Sequence, residues 1–191
     1  MQSKTSWLLA LLSVAMLSAG CATKPPPAAP VASGDTFSFD VPENRFRVVI
    51  PEMPQIKMTP HPLAASRPDA RYLGGDEKSG YTISILTPTA DKGMTPEDCA
   101  SSSYRGLLKR YGVEEKYVVA RRNNPTTFVV LFPTRAGPLL QLKAYLLSGY
   151  NGDHCIDVHV SRNFNVDGGE QLAKDMKEWF ESFTKASIEH Y

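Results

Sequence analysis

From Phe37 to Ile50 apolar and polar side chains alternate: Phe37, Phe39 and Val41 interleave with Ser38 and Asp40, and Phe46, Val48 and Ile50 follow a turn at Pro42 and Asn44. A period of two puts one face of a strand into a core, so this stretch predicts an opening hairpin. Pro51, Pro54, Pro60, Pro62 and Pro68 then punctuate the chain. Proline cannot donate to a ladder, so Glu52 to Arg71 is predicted to cross the surface as a long loop. A strand follows from Gly80 to Thr87, with Tyr81, Ile83 and Ile85 facing the core.

At Thr95-Pro96-Glu97-Asp98 the period lengthens. Thr95 suits an N-cap, Pro96 the first helical position, and the two carboxylates the positive end of the helix dipole. The predicted helix ends at Tyr111, stopped by Gly112. Ala100, Tyr104, Leu107, Leu108 and Tyr111 form its apolar stripe, with Cys99 beside it. Strands are predicted over Lys116 to Arg121 and Thr126 to Phe132, the second apolar on both faces as a central strand is. Leu139 to Ser148 and His154 to Ser161 flank Asn151-Gly152, which suits a two-residue type I′ turn. That turn would set Leu147 opposite Ile156, Leu146 opposite Asp157, Tyr145 opposite Val158 and Ala144 opposite His159. A closing helix opens with Asp167 and Glu170 at capping-box spacing and carries Leu172, Met176, Trp179, Phe180 and Phe183 on one side.

Ahead of this domain, Lys4, the apolar run Trp7 to Leu17 and the small residues Ser18, Ala19 and Gly20 read as an export signal spanning residues 1–20, too short to cross a bilayer. Cys21 follows directly. Leu17-Ser18-Ala19-Gly20-Cys21 resembles the lipobox of bacterial lipoproteins, with Ser18 where Leu is commonest. The resemblance implies that Cys21 is acylated, and Ala22 in place of Asp points to the outer membrane. Two or three acyl chains would anchor the protein permanently. Residues 22–34, with Pro25, Pro26, Pro27 and Pro30, then form a tether reaching about 40 Å. Residues 35–191 are read as a single domain.

Composition narrows the functions. The chain has 21 basic and 20 acidic residues, and losing Lys4 with the signal leaves them balanced. Nucleic acid is excluded by compartment and by charge. The run Arg105, Lys109, Arg110, Lys116, Arg121 and Arg122 reads as a solvated face. Cys99 and Cys155 remain as an even pair in an oxidising compartment and predict a disulfide. The bond would hold the first helix over Leu142, Ala144 and Leu146, leaving Ile156, Val158 and Val160 for the aromatic helix.

The element order resembles the PsbP-like fold. The opening strand Phe46-Arg47-Val48-Val49-Ile50-Pro51 and the closing Trp179-Phe180-Glu181-Ser182-Phe183 carry the likeness. It implies an α+β domain, an antiparallel sheet of about six strands with helices packed on it, in a family of mostly non-enzymatic binding or assembly factors.

The densest titratable cluster is Asp153-His154-Cys155-Ile156-Asp157-Val158-His159. Strand alternation puts Cys155, Asp157 and His159 on one face. Asp157 and His159 are two groups of a metal site or an oriented base, but the sequence shows no third ligand nearby, and no catalytic residue is assigned. Ser101, Ser102 and Ser103 have no His near them in sequence. No hydrolase, zinc or phosphate-loop motif is present, and no cofactor is expected. The leading expectation is therefore a lipid-anchored envelope protein that binds another envelope component through Ile56, Met58, His61 and Leu63 of the Pro-rich loop, or through a sheet edge. The alternatives are an enzyme using Asp157 and His159, and a small-ligand or lipid carrier with a pocket under the closing helix.

Overall fold

The Phe37 to Ile50 alternation forms the expected hairpin, β1 (Thr36–Val41) and β2 (Phe46–Pro51). The structure, a computed structural model, describes residues 35–136, 139–150, 153–166 and 169–191. The signal, Cys21, the tether, the Asn151-Gly152 turn and Asp167 lie outside the described residues. After the hairpin come β3 (Met58–Pro60), β4 (Ala70–Asp76), β5 (Tyr81–Leu86), α1 (Pro96–Tyr111), β6 (Val119–Arg122), β7 (Phe128–Ala136), β8 (Leu139–Tyr150), β9 (His154–Asn165), α2 (Gly169–Phe183) and β10 (Ser187–His190).

The class is α+β with antiparallel pairing. The strands do not form a single sheet of about six. They divide into a three-stranded sheet, β1-β2-β10, and a seven-stranded sheet, β3-β4-β5-β9-β8-β7-β6. Three strands were not expected: β3, β4 and β10. The Pro-rich stretch is therefore not all loop, since Met58 to Pro60 pairs with β4. Gly74 permits this pairing. A Cβ there would lie 2.6 Å from Met58 Sδ and 2.9 Å from the Lys57 carbonyl oxygen.

The faces of the large sheet bury different things. On one face Ile83, Ile85, Val129, Leu131, Leu142, Ala144, Leu146, Ile156, Val158 and Val160 meet the small sheet's Phe37, Val48, Ile50 and Ile188 and the α2 residues Trp179 and Phe183. On the other, Ala100 and Leu107 of α1 pack with Val130, Phe132, Tyr145 and Leu147. β7, between β6 and β8, feeds both cores, as its two apolar faces predict.

Thr95 caps α1 as expected. Its hydroxyl accepts from Asp98 N at 3.1 Å, the Asp98 carboxylate accepts from Thr95 N at 2.9 Å, and Gly112 ends the helix at φ 61°. Cys99 and Cys155 are bonded, with Cα atoms 5.4 Å apart. The apolar residues expected beneath α1 are different ones. Tyr150 pairs with His154, so residues 151–153 make a three-residue connection, and Leu147 opposes Asp157, Tyr145 opposes His159, Leu146 opposes Val158 and Ala144 opposes Val160. A slip of one residue exchanges the faces of a strand. Leu142, Ala144 and Leu146 thus join Ile156, Val158 and Val160 on the α2 side, and Tyr145 and Leu147 lie under α1.

The small sheet is tied to the large one through polar groups. Asn123 Nδ2 donates to the Phe183 and Ala186 carbonyl oxygens at 2.7 and 2.9 Å, and Ile188 N donates to Thr127 Oγ1 at 2.9 Å. The turn between β6 and β7 therefore fixes the path from α2 into β10.

Candidate functional site

A cavity of about 550 Å³ opens where α1, the β5–β9 end of the large sheet and the Pro-rich segment meet. Its size is that of a small-molecule site. The floor is Ser84 of β5 with Cys155, Asp157 and His159 of β9 and Tyr145 of β8; one wall is Ser102, Ser103, Gly106, Leu107 and Arg110 of α1; the opposite wall is His61, Leu63, Arg67 and Asp69. Helical spacing puts Ser103, Gly106, Leu107 and Arg110 on one flank of α1, and strand alternation lifts Asp157 and His159 toward it.

Asp157 is the central group. Ser103 Oγ donates to its Oδ1 at 2.8 Å, and no ion pair to it exists among the described residues. Burial pushes the Asp157 carboxyl up to about 6, with the Ser103 hydrogen bond and the Arg110 charge pulling partly the other way. His159 stacks on Tyr145, ring centroids 4.5 Å apart, and its Nε2 is buried without a hydrogen-bond partner. A charged ring would seal an N–H there with no acceptor. Burial, aided by Lys143 and Arg110, accordingly pushes the imidazole down to about 3, so it is neutral at any physiological pH. Tyr145 is held from its other side by Phe132, ring centroids 6.0 Å apart, and its hydroxyl lies 2.9 Å from that of Tyr111. Lys143 Nζ sits 5.0 Å from the Tyr111 ring centre and donates to Gln141 Oε1 at 2.5 Å. Burial lowers its pKa.

No family model and no curated protein matches this chain. The site has to be read from its own chemistry.

The residues singled out in the sequence fall in three places. Asp157 and His159 share the floor, with Cys155 at its end. His61 and Leu63 stand on the rim, Leu63 at 49% exposure. Ile56, at 6%, is a core residue and Met58 packs against that core, so neither is an open contact surface. The basic run is exposed, and Arg110 alone of its six residues reaches the cavity. The space beneath α2 is filled by Trp179 and Phe183, and the cavity lies on the opposite face of the sheet. Among the described residues no group of three His, Cys, Asp or Glu is placed to hold a metal ion. No described helix is long and apolar enough to cross a membrane.

Sequence reasoning names Ser103 only as a serine without a nearby His and Arg110 only as part of a solvated face, and joins neither to Asp157. Ser103 stands 54 residues from Asp157, and only the folded sheet reveals their contact. Gly106 was the available signal. A glycine inside a helix costs about 1 kcal/mol relative to Ala, and a Cβ at Gly106 would meet nothing. Packing therefore does not require it, and its effect is to leave the groove open.

Proposed function

We propose that this chain is a lipid-anchored protein of the bacterial envelope. Cys21 holds it in the outer membrane, and its α+β domain faces the periplasm and binds another envelope component without turnover. The groove carries this reading: a concave site with a half-buried carboxyl and an exposed guanidinium, walled on one side by the Pro-rich segment. A PsbP-like kinship belongs to the proposal, supported by the element order and by antiparallel sheets with a helix toward each face of the larger one.

Turnover is the second reading, favoured by a carboxyl that titrates near neutrality beside a hydroxyl. Binding is preferred because an activated nucleophile needs a base that is itself held by a third group. Here Ser103 donates to the carboxylate, and no imidazole among the described residues is bonded to either.

A photo-crosslinking amino acid at Gly106 in intact cells tests the proposal. Adducts are expected at 106 and not at Lys174 on the outer side of α2, and Cys21→Ala should release the protein from the membrane fraction. Absence of an adduct at 106 would remove the groove from the function. A processed, membrane-bound Cys21→Ala protein would remove the anchor. If Asp157→Asn abolishes function while adducts persist and the fold is intact, hydrolysis becomes the better reading.

A further inference from the structure

Resting on the binding reading above, we infer that the groove takes a short peptide with both ends free, its ammonium against Asp157 and its carboxylate against Arg110. The two charges are open to a ligand. Asp157 is partly exposed and, among the described residues, accepts only from Ser103, leaving lone pairs on its carboxylate. Arg110 is exposed and makes no ion pair or side-chain hydrogen bond among the described residues. Of the other charged groups on the groove, Arg67 and Asp69 are matched with each other at 2.7 Å, and Asp91 stands on the lining as an exposed carboxylate.

Neutral His159 matters here. A charged imidazole two residues from Asp157 would be its counter-ion; held neutral, it leaves the carboxyl only the field of Arg110 and room for a guest's charge. A carboxyl kept from ionising by burial gains most from a cation brought into the same pocket, and a primary ammonium also supplies donors for its free lone pairs. Spacing then selects length. Ser103, which marks the carboxylate, and Arg110 lie seven residues apart on one helix flank, about 10 Å along the axis. Extended peptide spans about 3.3 Å per residue, so two or three residues bridge the charges. Leu86, Leu107 and Met94 offer apolar contact to the peptide's side chains. A sugar fits less well on the floor's Tyr145, whose ring is stacked with both Phe132 and His159.

The test is calorimetric titration of the purified protein with trialanine, N-acetyl-trialanine, trialanine amide and N-acetylglucosamine. Trialanine should bind. Acetylation should weaken it at least tenfold, and amidation about threefold, because Arg110 is solvent-screened. Arg110→Gln should erase the difference between trialanine and its amide, and Asp157→Asn the difference between trialanine and its acetylated form. Gly106→Trp, which fills the groove from an exposed helix position, should abolish binding whether or not the other variants fold. Equal binding of the acetylated peptide, or no binding by any peptide, overturns the inference, as does binding of N-acetylglucosamine alone. The cellular adduct at position 106 separates the two levels: if it persists while trialanine fails, only the peptide assignment falls; if it is absent, the binding reading itself falls.

Discussion

The two faces of the seven-stranded sheet are built from the same strands and do opposite work. Toward α2 every inward position of β8 and β9 from Leu142 to Leu146 and from Ile156 to Val160 is apolar and sealed, and the small sheet doubles the cover. Toward α1 the same strands present Lys143, Tyr145, Asp157, His159 and Ser161 among the apolar residues, with a helix that covers only part of the surface. A strand's alternation lets a protein separate stability from recognition at single-residue resolution. The difference also says where substitutions should hurt, and in what way.

The largest effect is expected on the α2 face. Phe183 and Trp179 are almost wholly buried, and Phe183→Ala should cost about 3–5 kcal/mol in denaturant titration, a large part of a typical domain's stability. A loss below about 1 kcal/mol would mean that this face is not the main core. Next comes the disulfide, which joins residues 56 apart. Reduction should lower stability by about 4 kcal/mol in the loop-entropy model, read as a drop in Tm with reductant. Because Cys155 also borders the groove, the bond serves both faces.

The α1 face should show itself through pH. In the folded chain Asp157 keeps its proton up to about 6 against an ordinary 3.8, so its contribution falls as pH rises through that window. His159 stays neutral down to about 3 against 6.5, so its contribution rises between those values. The two oppose each other between about pH 4 and 6. Asp157→Asn should therefore steepen the gain of stability with pH in that range, and His159→Phe should flatten it, both measured by Tm across pH. Asp157→Asn should also leave stability at pH 7 unchanged or raised, as expected for a group that burial disfavours. The smallest effect is Gly106→Ala, predicted to raise stability by about 0.5–1 kcal/mol. Destabilisation there would show that the open flank of α1 has a structural purpose.

The parts of the fold legible in sequence are those whose signal is local. Thr95 to Asp98 announces α1, and Tyr81, Ile83 and Ile85 announce β5, because caps and alternation act within a few residues. β4 was hidden by its own chemistry: glycine is depleted in strands, so Gly74-Gly75 gives no strand signal, whereas Gly74 is there to admit Met58 and Lys57. β10 is four residues long and exists through its pairing with β2. The β8–β9 register was misread because Asn-Gly favours a two-residue turn and the connection has three. The disulfide survived that error, since it was expected from an even pair of cysteines in an oxidising compartment, and only the residues expected beneath the helix changed. Of the site, the two β9 residues could be paired from the sequence, and Ser103 and Arg110 of α1 could not be joined to them.

The pairing of β10 with β2 also governs the order in which this protein can be made. Ser187 to His190 bond to Phe46 to Val49 across nearly the whole length of the domain. Local helices and hairpins form early, but contacts between distant parts of a chain must first overcome the entropy of closing the loop between them. Until its last strand arrives, β2 has a partner only in β1, and its other edge stays open to any strand that passes. A chain made from its amino terminus thus carries that edge exposed until Ser187 to His190 are in place, and completion of the small sheet waits for them.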